Sequence, residues 1–245
     1  MKFAMLQSGS AGNSFLLESA STKIMIDCGG TKKYLQTALA QLHCEIKDID
    51  ALLLTHGHVD HIAQIKQFKD TITFGTFQVE NKDIHLISTH ATFQIKDITI
   101  TSLPLSHDYK RTVGYKLECD GETLVYVTDT GYINESLLDE LKNAEYYIWE
   151  SNHDPYLLMK TNRAYYIKQR ILSSEGHLSN EESARLLTML VGDKTKEVVL
   201  AHISREANTY ELAVDTLYKT FEKAQIPIHF KVHAATQNEM YLGGN

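Results

Sequence analysis

Cysteine is scarce in this sequence, and long apolar runs are missing altogether. Among 245 residues there are three cysteines, Cys28, Cys44 and Cys119, with no CxxC spacing between them. An odd number without paired spacing argues against a disulfide framework and is expected of reduced thiols in a cytoplasmic protein. No stretch approaches the ~20 apolar residues of a membrane span. The opening Met1-Lys2-Phe3-Ala4-Met5-Leu6-Gln7-Ser8 has too short an apolar run for a signal peptide. Basic charge is also in short supply: 24 Lys and Arg against 31 Asp and Glu give a formal net charge of −7. That excludes global attraction to nucleic acid but leaves a local basic groove open. Internal repeats, low-complexity segments and linkers are absent, so residues 1–245 are expected to form a single domain. The hydrophobic content of 43% and charged content of 22% are those of an ordinary globular chain with a sizeable core.

What the sequence does have is histidine in one place. Thr55-His56-Gly57-His58-Val59-Asp60-His61 holds four potential metal ligands, His56, His58, Asp60 and His61. Ala51-Leu52-Leu53-Leu54 before it reads as a buried strand, and Ile62, Ile65 and Phe68 after it recur at helical spacing. The cluster is therefore expected on a loop between a strand end and a helix. Neutral imidazole and carboxylate suit Zn²⁺ and similar ions. Gly57 is expected to turn the chain tightly through a positive φ. A lone histidine is ordinarily a surface or hydrogen-bonded residue; three with an aspartate at the end of an apolar strand point to metal.

His-x-His-x-Asp-His after a buried strand resembles the signature of the metallo-β-lactamase superfamily. The resemblance implies an α/β fold, a four-layer αβ/βα sandwich, and a hydrolytic site with two divalent metal ions. Zn is favoured by the nitrogen and oxygen ligands, with Mn or Fe allowed. Asp27, in Asp27-Cys28-Gly29-Gly30, would buttress the metal loop without ligating, although a turn-forming aspartate before two glycines is the plain reading. The resemblance implies that His56, His58 and His107 hold one metal, that Asp60, His61 and His202 hold the other, and that Asp129 bridges them. On their own, His107 and the strand-terminal Asp129-Thr130-Gly131 also fit plain loop and turn residues.

Strands are expected at Phe3–Leu6, Phe15–Leu17, Lys23–Ile26, Ala144–Trp149, Glu197–Ala201 and 226–232. Hairpins are expected around Lys96-Asp97 and around Cys119-Asp120-Gly121. Helices are expected over 31–43, 62–68, 134–141 with Asn134 as N-cap, and 163–172. Two more should start at Ser179, which has capping-box spacing to Glu182, and at Asn208, running to about Ala224. The tail 237–245 reads as a loose end. Ser8-Gly9-Ser10-Ala11-Gly12-Asn13-Ser14 is either a hairpin connection or a loop whose backbone N–H groups approach a substrate.

That opening, with Gly176-His177-Leu178-Ser179-Asn180 and His202-Ile203-Ser204-Arg205-Glu206-Ala207-Asn208, is most similar to the WalJ (YycJ/VicX) branch. The short stretch from His107 to Asp129 leaves no room for the arm of transfer-RNA processing enzymes. The stretch from Asp129 to His202 holds no large inserted domain. The branch implies a phosphodiesterase, in particular a DNA exonuclease, in which two ions ~3.5–4 Å apart share a hydroxide. Asp60 could orient that hydroxide, and Glu150 with His177 would protonate the leaving oxygen; His153 competes for that partnership. Asn13, Ser179 and Ser204 are candidate substrate contacts. The expected partner is nucleic acid or another phosphodiester, with no membrane. Lys110, Arg111, Arg163, Lys168 and Arg205 read as scattered solvated charge rather than as a backbone-binding groove. Two other readings stand beside this one: a small-molecule phosphodiester or thioester hydrolase of glyoxalase II type, and a regulatory module that uses its metals structurally.

Overall fold

The computed structural model describes residues 1–244. In chain order the elements are β1 (Lys2–Gln7), β2 (Ser14–Glu18), β3 (Lys23–Ile26), α1 (Lys32–Gln41), β4 (Ala51–Leu53), α2 (Val59–Ile62), β5 (Ile72–Gly75) and β6 (His85–Leu86). There follow β7 (Thr92–Ile95), β8 (Ile98–Pro104), β9 (Val113–Cys119), β10 (Glu122–Val127), α3 (Glu135–Leu141), β11 (Tyr146–Glu150), α4 (Pro155–Lys160) and α5 (Tyr165–Ile171). The chain closes with α6 (Asn180–Leu190), β12 (Glu197–Ala201), α7 (Tyr210–Lys223), β13 (Lys231–Ala234) and β14 (Tyr241–Gly244). No helix among the described residues is long and apolar enough to cross a membrane. The three cysteines are buried free thiols.

The chain gathers into two compact units. Among the described residues the first comprises 1–104, 109–122 and 236–244. Its sheet runs β14-β1-β2-β3-β4-β5-β6, antiparallel from β14 to β3 and parallel from β3 to β6. β7, β8 and β9 form an antiparallel meander in the same unit. α1 and the loops beside it bury Leu35, Ala38, Leu39 and Phe68 against Leu16, Met25 and Leu52. Parallel register sets Ile26 beside Leu53, so Asp27 follows β3 where Thr55 follows β4.

The second unit comprises 105–108 and 123–235. Here β10, β11, β12 and β13 are parallel. β11 and β12 are buried throughout, which is why Tyr146–Glu150 and Glu197–Ala201 read as unbroken rather than alternating segments. Register aligns Val127 with Trp149 and Glu150 with Ala201, bringing Asp129, Glu150 and His202 to the carboxyl ends of adjacent strands. Ligand-bearing residues concentrate at that edge in open α/β sheets.

Several expectations are corrected. The helix expected over 62–68 divides into α2, which begins at Val59 and carries Asp60 and His61, and a 3₁₀ turn at Ile65–Phe68. α4 was not anticipated, although Asp154-Pro155 is an N-cap followed by an N1 proline: Asp154 accepts from Leu157 N–H. α7 is capped by Thr209 rather than Asn208, because the Asn208 side chain is buried and bonded to Ser151, Asn152 and Asn180. The strand expected over 226–232 lies at Lys231–Ala234. The tail is no loose end: Tyr241–Gly244 pairs with β1, and Gln237 is buried with its amide donating to Gly12 O. Asn245, in the same tail, lies outside the described residues.

Candidate functional site

In the first unit the metal-motif residues are held by Asp27. This carboxylate is wholly buried and accepts three hydrogen bonds: from Thr55 N–H at 2.9 Å, Thr55 Oγ1 at 2.8 Å and His61 Nδ1 at 2.7 Å. Burial pushes its pKa above the ordinary carboxylate value, with the His61 charge and these hydrogen bonds opposing. In its neutral form His61, donating from Nδ1 to Asp27, has its lone pair on Nε2. Because the Thr55 hydroxyl proton also goes to Asp27, the Thr55 oxygen accepts from His56 Nδ1–H at 3.1 Å. That leaves the His56 lone pair on Nε2 as well. His58 differs: its Nδ1 faces His56 Nε2 at 3.0 Å. Two imidazole nitrogens so close suit one shared cation bound at about 2.0–2.1 Å from each.

The motif is also held from its backbone. Cys28 N–H donates to His61 O at 2.7 Å and Asn13 N–H to Asp60 O at 2.8 Å. The Asn13 side chain is buried among Gly9, Asp60 and His61, its Nδ2 lying 3.3 Å from Asp60 Oδ2 and 2.9 Å from His61 Nε2. The Asn13 side chain, expected as a substrate contact, thus faces Asp60 and His61. Gly57 is not at positive φ, correcting the expected reason for a glycine there. A Cβ at Gly57 would sit 2.3 Å from the Tyr109 hydroxyl, so Gly57 makes room for that ring beside His56 and His58.

In the second unit the hub is Glu150. Oε1 accepts from His177 Nδ1 at 2.8 Å and His202 Nδ1 at 2.9 Å; Oε2 accepts from Thr130 N–H at 2.9 Å and Leu178 N–H at 3.1 Å. Burial pushes this carboxyl up, but His177, by charge and hydrogen bond, and His202 outweigh it and hold it down to about 2. With four donors on its two oxygens, Glu150 is an orienting carboxylate. In their neutral forms His177 and His202, donating from Nδ1 to Glu150, have their lone pairs on Nε2. His107 reaches the same state by donating from Nδ1 to Gly176 O at 3.1 Å; burial lowers its pKa, against the pull of Asp129.

Asp129, Glu150, His177 and His202 each present a ligand atom within 4.8 Å of the others. Asp129 Oδ1 is 3.4 Å from His202 Nδ1 and 3.9 Å from His107 Nε2. Both units thus hold clustered imidazole and carboxylate donors, with tautomers set by carboxylate or carbonyl partners, as in histidine metal sites. The donor set fits divalent metal.

Other features were not legible in the sequence. Asp27, Asp129 and His202 all have φ near the left-handed region, at +57°, +58° and +55°. Such conformations cost on the order of 1–3 kcal/mol each and gather at functional sites. The Thr55 bridge gave no signal of its own. A buried amide network, Ser151 to Asn180, Asn180 to Asn208 and Asn152 Nδ2 to His202 O, braces His202 from behind. Ser179 caps α6 through Glu182 N–H, and Ser204 accepts from Ala207 N–H; each retains a hydroxyl proton to donate. Lys168 is not solvated charge: it is buried, donating to Met159 O and Thr161 O. Lys110, Arg111 and Arg205 are exposed, and Arg163 pairs with Glu206.

Residues 22–203 match the family model described as a beta-lactamase superfamily domain. The chain is 34% identical to Exodeoxyribonuclease WalJ of Streptococcus pneumoniae, over 95% of this chain and 93% of that protein. It is 30% identical to Exodeoxyribonuclease YycJ of Bacillus anthracis, over 95% and 94%. The structure is similar to that of the metallo-beta-lactamase fold protein YhfI from Bacillus subtilis, with a TM-score of 0.74 and 17% identity, covering 99% of this chain and 98% of that one. The fold is therefore the α/β sandwich that the motif implied.

Proposed function

The chain belongs to the metallo-β-lactamase superfamily, in its WalJ branch, and from that premise we propose that it is a dinuclear metal-dependent phosphodiesterase acting on DNA as an exonuclease. A metal-dependent hydrolase of nuclease or phosphodiesterase type is what family membership carries. The finer reading is ours. His56, His58 and His107 are assigned to one metal, Asp60, His61 and His202 to the other, and Asp129 to both, following the family pattern of these motif positions. Zn²⁺ fits the nitrogen-rich set best. Bound metals would supply an ionised water at neutral pH and neutralise charge on the phosphoryl oxygens.

The chain's own groups do the rest. The observation that carries the reading is the Glu150–His177 pair: an ionised, fully buried carboxylate holding an imidazole by Nδ1 at 2.8 Å. The His177 side chain keeps 15% exposure while that of Glu150 has none. His177 is thus placed to carry a proton on Nε2 to the departing sugar oxygen, with Glu150 stabilising the charged ring. Glu150 acts as a positioning residue. The Asp60 side chain is 27% exposed and can accept a hydrogen bond from the attacking water. Ser179 and Ser204 can donate to a phosphate. Cytoplasmic location is proposed on the reduced cysteines.

The test is metal-loaded protein on end-labelled single- and double-stranded DNA and RNA, with a bis-aryl phosphodiester alongside and Asp129→Ala as control. A metal-dependent ladder from one DNA end, abolished by the substitution, is the expected result. Cleavage of the small diester alone would refute the DNA reading, and silence with metals bound would refute the phosphodiesterase.

A further inference from the structure

The segment 155–172, Pro-Tyr-Leu-Leu-Met-Lys-Thr-Asn-Arg-Ala-Tyr-Tyr-Ile-Lys-Gln-Arg-Ile-Leu, contains no acidic residue in a chain with 31 of them. It also carries three tyrosines with rings largely in water: Tyr156 is 65% exposed, Tyr165 66% and Tyr166 74%. Lys160 Nζ lies 4.0 Å from the centre of the Tyr156 ring.

These residues stand on a braced base. Leu158 and Ile171 are buried with Ala207 beneath α4 and α5. The buried Lys168 ammonium ties α5 to the end of α4 through Met159 O and Thr161 O. The tyrosines are therefore not loose ends of a mobile loop.

The base is continuous with the second unit's site. α4 follows Glu150 within a few residues. At the end of α5, Ile171 O accepts from His177 N–H at 3.0 Å, and Gly176 O accepts from His107.

We propose that the outer face of α4 and α5 is a stacking platform for single-stranded nucleic acid, with Tyr156, Tyr165 and Tyr166 taking bases and Lys160 meeting phosphate. The proposal rests on the nuclease reading for its placement but has its own observable. Exposed aromatic rings beside cations are the chemistry of sequence-tolerant single-strand binding, because every base has a face to stack and the backbone is anionic. A duplex does not offer its base faces, so the platform selects single strands. Arg163 pairs with Glu206, Arg170 pairs with Asp108 and Lys168 is buried, so phosphate attraction falls to Lys160, and the three exposed rings beside that cation are what favour a single strand over a second copy of the chain.

The test is fluorescence anisotropy of the full, metal-loaded chain with a labelled oligothymidylate whose phosphorothioate linkages resist cleavage. Tyr165→Ala and Tyr166→Ala are each expected to weaken binding about tenfold, whereas Tyr→Phe, which keeps the ring, stays within about twofold. Lys160→Ala should lower the salt dependence by about one phosphate contact. Thermal melting of each variant checks folding, and the Phe variants keep the test informative if an Ala variant melts early. Wild-type protein that binds no single strand, or Ala variants that bind like wild type, would overturn the platform. So would Ala variants that lose self-association while keeping DNA affinity, since the rings would then face a second copy. Cleavage of natural-linkage DNA is followed in parallel. Cleavage with tyrosine-independent binding refutes the platform alone; tyrosine-dependent binding without cleavage refutes the nuclease reading alone.

Discussion

Replacing His177 by alanine should separate two kinds of phosphodiester. A DNA linkage breaks to leave a sugar alkoxide, which needs a proton as it departs. A bis-p-nitrophenyl phosphate releases a phenolate that is stable at neutral pH and needs none. If His177 supplies the proton, its removal forfeits a general-acid contribution of about 10²–10⁴ on DNA, roughly 3–5 kcal/mol of barrier. The aryl diester should fall by less than about tenfold. Glu150→Gln should behave differently, because Glu150 Oε1 holds both His177 and His202. Losing two charge-assisted hydrogen bonds, each on the order of 1.5–3 kcal/mol, should reduce turnover of both substrates and also metal retention. The assay is kcat/KM on both substrates with metal content measured on the same samples. Equal losses on both substrates for His177→Ala, at full metal content, would refute the proton-donor role; no loss on either would refute any role in turnover.

Four further outcomes follow from the same geometry. Asp27→Ala leaves Thr55 N–H and His61 Nδ1–H without their buried acceptor; metal affinity should fall about 10–100-fold in a chelator competition, with a lower melting temperature. Gly57→Ala brings a Cβ against the Tyr109 hydroxyl and should cost about 1–3 kcal/mol in denaturant melts, largely recovered in the Gly57→Ala/Tyr109→Ala double variant; additive losses would refute the contact. His153 is buried, and burial lowers its pKa to about 4. Its neutral form is therefore native, and stability should be full above the unfolded value near 6.5 and decline as pH falls through 6.5 towards 4, by up to about 3 kcal/mol. His153→Leu should flatten that decline in melts taken across the window. Ending the chain at Thr236 removes β14 and the Gln237 bonds to Ala11 and Gly12; early melting is expected, and an unchanged melting curve would show β14 to be dispensable.

Much of this was legible along the chain because it is local. Thr31, Asn134 and Ser179 each sit at an N-cap and accept from the first helical turn, a bond that needs only a few consecutive residues. The buried strands before Asp27, His56, Asp129, Glu150 and His202 are apolar runs in sequence as in structure. Spacing alone misplaced what depends on neighbours from elsewhere. Ile62, Ile65 and Phe68 keep a helical period, yet α2 stops at Ile62 and a 3₁₀ turn follows, with Gln64 N–H donating to Cys28 O. Asn208 has N-cap spacing but is drawn into the amide network of Asn152 and Asn180, so Thr209 caps instead.

By itself, then, the sequence singled out the residues proposed to carry the chemistry, namely the His-x-His-x-Asp-His cluster, His107, Asp129, Glu150, His177 and His202, together with the strands that end at them. Only the tertiary structure decided how those side chains are held. Which imidazole nitrogen carries the proton depends on Asp27 through Thr55 in one unit, and on Glu150 and Gly176 O in the other. Those partners are far apart along the chain and meet only through parallel strand register and turns at positive φ. A ligand's identity is a property of one residue, whereas its tautomer and orientation belong to the residues that the fold packs against it.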